Sequence, residues 1–193
     1  MKRNIFLVLL LVLTMVVLGC SGNNEEKVES SASNHPYQNE KCHSIDLPEN
    51  SEPKLHLELS FNLDDCGEFE PDDVIKSAKW YRYKDDEIYI SVDHIVTVND
   101  NVKLNFNMQT FMADFENPEQ LNAKMKVLED RYINGRKVTY AKSIIDENNN
   151  PQIIENIGIE IDGEYWTIMY TYLDNDKKMK RMVNKSIESI KIY

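Results

Sequence analysis

Residues Glu164–Leu173 constrain this chain most. Trp166, Ile168, Tyr170 and Tyr172 fall on one face of a strand, and Tyr165, Met169 and Leu173 fall on the other. Side chains of a strand alternate between faces, so a strand apolar on both is central in its sheet and covered on both sides. Asp162-Gly163 immediately before it is a tight-hairpin signal that joins it to Ile153–Ile161. A fold built around this pair needs several more strands and cover for each face.

Those strands are legible upstream. Leu55, Leu57, Leu59 and Phe61 alternate with His56, Glu58 and Ser60, the pattern of a half-buried strand. Ser77–Lys84 and Ile88–Val98 flank Asp85-Asp86, and Ile88, Ile90, Val92, His94 and Val96 share one face. Val102–Met108 and Lys137–Ile145 add two further strands. One helix is expected after Asn117, a capping residue followed by Pro118 and Gln120. Leu121, Met125, Leu128 and Tyr132 would form its apolar face and Asn134-Gly135 its end. A closing helix over Asn175–Lys185 leads into a strand at Ile187–Ile192. The class predicted is α+β, a mostly antiparallel β-sheet packed between helices. No internal repeat is visible.

The amino terminus has another character. Lys2-Arg3 precede an apolar run from Ile5 to Leu18, interrupted by Thr14, and Val17-Leu18-Gly19-Cys20 closes it. The run has fourteen residues, whereas a spanning helix needs about twenty. This segment resembles the signal peptide of bacterial lipoproteins, with Val17–Cys20 as its lipobox. That resemblance implies processing before Cys20, a diacylglycerol thioether on Cys20, and a protein anchored to the cell membrane on its extracytoplasmic face. Each buried acyl methylene contributes ~0.8 kcal/mol, so two chains hold stably where one does not. Residues 1–19 are thus a signal peptide, 20–41 a polar flexible tether rich in Ser, Asn and Glu, and 42–193 a single domain. The tether, a coil of roughly 20 residues, reaches ~25 Å. Abundant Lys, Asn, Ile and Glu point to a low-GC Gram-positive source.

Charge narrows the partners. The signal takes Lys2 and Arg3 with it, leaving 20 cations against 33 acids and a formal net charge of −13. Such a surface repels nucleic acid and anionic lipid, so neither is expected as a direct ligand. Against this background Lys177, Lys178, Lys180, Arg181 and Lys185 place five cations within nine residues. The preferred reading is the solvated face of a helix whose Met179, Met182 and Val183 pack inward, and the alternative is a patch for an anionic partner, wall polymer or lipid headgroups.

Two cysteines remain once Cys20 is lipidated. Cys42 and Cys66 lack a C-x-x-C spacing, and in an exported domain they are expected to form a disulfide. Closing that loop would stabilise the fold by ~3.5 kcal/mol. A metal pair of these cysteines with His43 is the alternative. The acidic run Asp64, Asp65, Glu68, Glu70, Asp72 and Asp73 is a candidate calcium loop. It lacks the alternating order of such loops and contains Pro71, so a solvated, self-repelling loop is preferred. His35, His43, His56 and His94 show no ligand spacing, and His94 reads as a satisfied histidine at a strand end. No nucleophile elbow, zincin or phosphate-loop motif occurs in the sequence. Neither cofactor nor catalytic residue is assigned. Trp80, Tyr81, Tyr83, Trp166, Tyr170 and Tyr172 are read as core rather than as a groove lining.

From Leu55 to Tyr193 the arrangement resembles the PsbP-like fold, an antiparallel sheet between helices. The helix ending at Asn134-Gly135, the hairpin Gly163-Glu164-Tyr165-Trp166 and the ending Ser186-Ile187-Glu188-Ser189-Ile190 carry the resemblance. It implies a noncatalytic accessory protein of the membrane surface and transfers no functional residue. The expectation is a noncatalytic cell-surface lipoprotein that contacts another envelope protein or wall component. A small-ligand or calcium-binding lipoprotein is the alternative, and an envelope hydrolase stands third.

Overall fold

Turns with both central residues at positive φ organise the domain. Asn134 and Gly135 have φ of 50° and 78°, and Asp162 and Gly163 have φ of 52° and 82°. This is the geometry whose twist matches that of the flanking strands, and Asn-Gly and Asp-Gly adopt it most easily. The computed structural model describes residues 43–47, 54–69, 71–99, 101, 103–108, 111, 123–147 and 150–193. In chain order these form β1 (His43–Leu47), β2 (Leu55–Leu59), β3 (Asp64–Phe69), β4 (Ile75–Lys84), β5 (Ile88–Thr97), β6 (Lys124–Ile133) and β7 (Arg136–Glu147). There follow β8 (Asn150–Ile161), β9 (Glu164–Leu173), α1 (Lys177–Ser189) and β10 (Lys191–Ile192).

Seven strands make one antiparallel sheet in the order β3-β4-β5-β9-β8-β7-β6, and β1-β2-β10 make a second, smaller sheet. β9 is the middle strand, as its two apolar faces demand. On one face Trp166, Ile168, Tyr170 and Tyr172 join a core with Leu55, Leu57 and Leu59 of β2 and with Met179 and Val183 of α1. On the other, Tyr165 packs with Ile75, Ala78 and Ile95, and Leu104 and Phe106 lie against them. Each buried side chain of this size contributes roughly 1.5–3 kcal/mol relative to exposure.

α1 starts cleanly because the Asp176 carboxylate accepts hydrogen bonds from the Lys178 and Met179 amides, both at 2.9 Å. Such a cap is worth ~1 kcal/mol. Met179, Val183 and Ser186 are its buried residues, one stripe at helical spacing. At the far end the Ser189 hydroxyl donates to the Ser186 carbonyl at 2.6 Å and accepts from the Glu58 amide at 2.7 Å. One side chain thus closes the helix and fastens it to β2.

Several expectations are corrected. The fold is sheet-dominated: among the described residues α1 is the one complete helix, and Leu104 and Phe106 pack against the second face of the large sheet. The helix expected across Met125–Tyr132 is the edge strand β6, and Asn134-Gly135 turns a hairpin instead of ending a helix. That removes one of the three features carrying the PsbP-like resemblance. Asn117, Pro118 and Gln120 lie outside the described residues. Of the strand expected over Val102–Met108, Val102 lies outside the described residues, and residues 103–108 pair with no strand among them, Leu104 and Phe106 lying against the sheet. α1 runs on to Ser189, so the terminal strand shortens to Lys191–Ile192. β1 and β3 were not foreseen.

Candidate functional site

The outward side of α1 carries Lys177, Lys180, Arg181 and Lys185, all exposed. The inward side is the apolar stripe that fixes the helix to the sheet, so the cations have no freedom to turn away. Lys178 leans toward Glu87 at 3.7 Å. The other four form no ion pair among the described residues. Elsewhere some cations are matched closely, Lys54 with Glu164 at 2.6 Å, Lys79 with Asp65 at 2.8 Å and Lys137 with Asp130 at 2.8 Å, while Lys76, Lys84, Lys124, Lys126 and Lys191 likewise form no ion pair among the described residues.

Beside the C-terminal half of α1 lies a groove of about 350 Å³, walled by β2 and the helix. Lys185 and Lys191 bring cations to it, Glu58 and Glu188 bring carboxylates, and Ser60 brings a hydroxyl. The groove exists because β10 pairs only with Leu55 and His56. Past His56 the edge of β2 faces α1 instead of another strand.

Two polar clusters sit on the same face of the large sheet. Glu155 of β8 is 2% exposed, yet its carboxylate accepts hydrogen bonds from the Tyr140 hydroxyl at 2.6 Å and from the Tyr172 hydroxyl. The Lys142 ammonium lies 3.2 Å from it. Burial opposes the charge, but these donors outweigh it and hold the carboxyl below the usual glutamate range. Burial, and then the neighbouring carboxylate, push both tyrosines well up. Arg131 covers Tyr140, its guanidinium 3.4 Å from the ring centroid. Every group is partnered, and the cluster is a brace between β7, β8 and β9.

At the other end of β9, His94 Nε2 lies 2.6 Å from Glu164, and its ring stacks on Trp166 with centroids 3.9 Å apart. Burial, opposed by Glu164 and assisted by Lys54 and Lys79, lowers the His94 pKa. The neutral ring therefore donates its Nε2 hydrogen to the carboxylate. Burial opposes the Glu164 charge too, but Lys54 and His94 hold its carboxyl below the ordinary range. Because Lys54 directly precedes β2, this chain of contacts ties the small sheet to the large one.

The acidic run is dispersed. Asp64, Asp65 and Glu68 belong to strand β3, where successive side chains point to opposite faces. Asp65 is taken by Lys79 and by the Gly67 amide at 3.0 Å, and these contacts lower its pKa in that order. Asp72 instead caps a turn, accepting from the Val74 and Ile75 amides at 2.7 and 2.6 Å. Glu70 lies outside the described residues. Among the described residues no three ligating side chains converge on a metal position. The run is an edge strand followed by a turn rather than a self-repelling loop. Cys66 is half-buried on β3, while Cys42 and Cys20 lie outside the described residues. No described helix is long and apolar enough to cross a membrane. Tyr81, Trp166, Tyr170 and Tyr172 are core, as expected, with Trp80 and Tyr83 half-buried. The groove beside α1 was missed, since it depends on how short β10 is.

No family model matches the chain, and no curated protein matches it. Among solved structures it is similar to the Ran-binding protein Mog1p of Saccharomyces cerevisiae, at 11% identity and a TM-score of 0.42, over 80% of this chain and 96% of that one. It is also similar to LpqN, involved in cell envelope biogenesis of Mycobacterium tuberculosis, at 10% identity and a TM-score of 0.40, over 79% and 90%. A third is PA94 from Pseudomonas aeruginosa, a protein of unknown function, at 13% identity and a TM-score of 0.38, over 77% and 94%.

Proposed function

We propose that this protein is a noncatalytic surface lipoprotein, anchored through Cys20, whose domain engages another envelope component through α1. The observation that carries the reading is the concentration of four exposed cations on one helix, none ion-paired among the described residues, on a chain of formal net charge −11. A helix designed only for solubility would interleave acids with its lysines, gaining ~0.2–0.5 kcal/mol per opposite pair and avoiding like-charge neighbours. Here Lys177, Arg181 and Lys185 follow one another at four-residue steps, and the first turn holds no acid. Cations at that end also oppose the helix dipole. The arrangement costs folding stability, as interaction surfaces commonly do.

The test is chemical cross-linking in the native host with tagged, lipidated protein and mass spectrometry of the captured material. One envelope component should be enriched over a Cys20→Ala control. It should fall away when Lys177, Lys180 and Arg181 are changed together to Glu. Capture that survives the charge reversal would refute the role of α1.

A further inference from the structure

Resting on that reading of α1, we propose that its partner is a linear polyol-phosphate polymer of the envelope, lying along the cation stripe with its hydroxyls in the groove. Lys177, Arg181 and Lys185 are each one turn apart, about 6 Å of rise, so the positive charge is a line rather than a plate. Acids flank the line: Glu87 on the side of Lys178, and Glu58 and Glu188 at the groove. A flat anionic membrane pressed on this region would meet those carboxylates together with the cations. A thin chain following the stripe would not.

The groove separates a polyol phosphate from other polyanions. Lys185 ends the stripe and lines the groove, so one continuous ligand reaches both. Glu58 and Glu188 are acceptors without protons to give. They repel the phosphates of polyphosphate or the side chains of an acidic peptide, but they accept hydrogen bonds from free hydroxyls. Lys191 and the Ser60 hydroxyl supply complementary donors. A ligand that alternates phosphate with hydroxyl-bearing carbon satisfies both signs of this lining.

The experiment uses the full lipidated chain in neutral detergent and measures its affinity for three probes: a synthetic poly(glycerol phosphate) oligomer, inorganic polyphosphate of equal charge, and phosphatidylglycerol vesicles. The oligomer should bind best. Changing Lys177, Arg181 and Lys185 together to Gln should weaken it at least about threefold, since each exposed contact is worth a factor of ~1.4–5. Glu58→Gln with Glu188→Gln should bring oligomer and polyphosphate to parity. Unchanged melting temperatures would show that these surface variants remain folded. The proposal is overturned if the oligomer does not bind, if the triple variant binds it equally, or if polyphosphate or vesicles match it with wild type. Host cross-linking separates the two levels. Capture of an acidic protein that depends on α1 would overturn the polymer and leave the docking role of α1 standing, whereas capture indifferent to charge reversal would remove both.

Discussion

Replacing Tyr172 by Phe tests the brace around Glu155. The ring and its packing are retained, and only one hydroxyl donor is withdrawn from a carboxylate that is 2% exposed. A hydrogen bond to a buried charge is worth ~1.5–3 kcal/mol, and no water can replace the lost donor. The expected cost is ~2 kcal/mol, or about 4–8 °C in melting temperature for a chain of this size. Glu155→Gln removes the charge at constant shape and should cost a similar amount, because Lys142 then faces an amide. Combining the two should cost less than their sum, with a coupling of ~1–2 kcal/mol. The pH dependence follows from the depressed folded pKa. An unfolded glutamate titrates near ~4.3, so the stabilisation is complete above that pH and is lost as pH falls through the lower folded value. Urea unfolding followed by the fluorescence of buried Trp166, at pH 7 and in steps from pH 5 to 3, measures all of this. A Tyr172→Phe cost under ~0.5 kcal/mol, or a Glu155→Gln acid profile parallel to wild type, would refute the reasoning.

Other outcomes follow from single contacts. A Cβ on Gly158 would stand 2.2 Å from Phe106 Cγ, so Gly158→Ala should cost ~1–3 kcal/mol through overpacking. Adding Phe106→Ala should relieve the clash, and purely additive losses in thermal melts would argue against it. The lowered pKa of His94 means that the unfolded chain takes up a proton near pH ~6.5 that the folded chain resists, so its contribution to stability falls as pH drops below that value. His94→Phe keeps a ring against Trp166 and should flatten the slope of urea midpoint against pH between 6.5 and 5; an unaltered slope would assign it to another group. Thiol titration of the exported, denatured protein should find no reactive thiol at Cys42 or Cys66 until a reductant is added, and two reactive thiols would refute the disulfide.

The large hairpins were legible because their turns and their periodicity agree. Asp162-Gly163 lies between two strands dense in β-branched and aromatic residues, and nothing competes with the strand reading there. Asn134-Gly135 carries the same signal, but Leu121, Met125, Leu128 and Tyr132 happen to follow helical spacing. In β6 that spacing has no packing meaning: Leu128 is 42% exposed and Tyr132 72%. An edge strand has one neighbour and little apolar surface to hide, so its sequence need not alternate. A register shift between Met125 and Val127 further breaks the period. β3 escaped notice for a related reason, since its acids suit an exposed edge and Gly67 supports an irregularity there at φ 103°. For the candidate site, the cations of α1 stood out in the sequence against an acidic chain. The lack of acidic partners, and the groove beside them, are products of tertiary placement that spacing does not encode.

The strand order has a consequence for how the chain matures. β3-β4-β5 and β6-β7-β8-β9 are two meanders, each formed by neighbours in sequence, and they meet at the β5–β9 ladder. The small sheet likewise joins β1 and β2 near the start of the domain to β10 at its very end. A chain that appears from its amino terminus can form the first meander early, but neither sheet closes until its last strand is available. Contacts so distant in sequence carry a large loop-closure cost and form slowly. The polypeptide thus stays pliable until its last strands have been made. Deleting α1 and β10 would strip the final clasp and leave a product prone to proteolysis and aggregation.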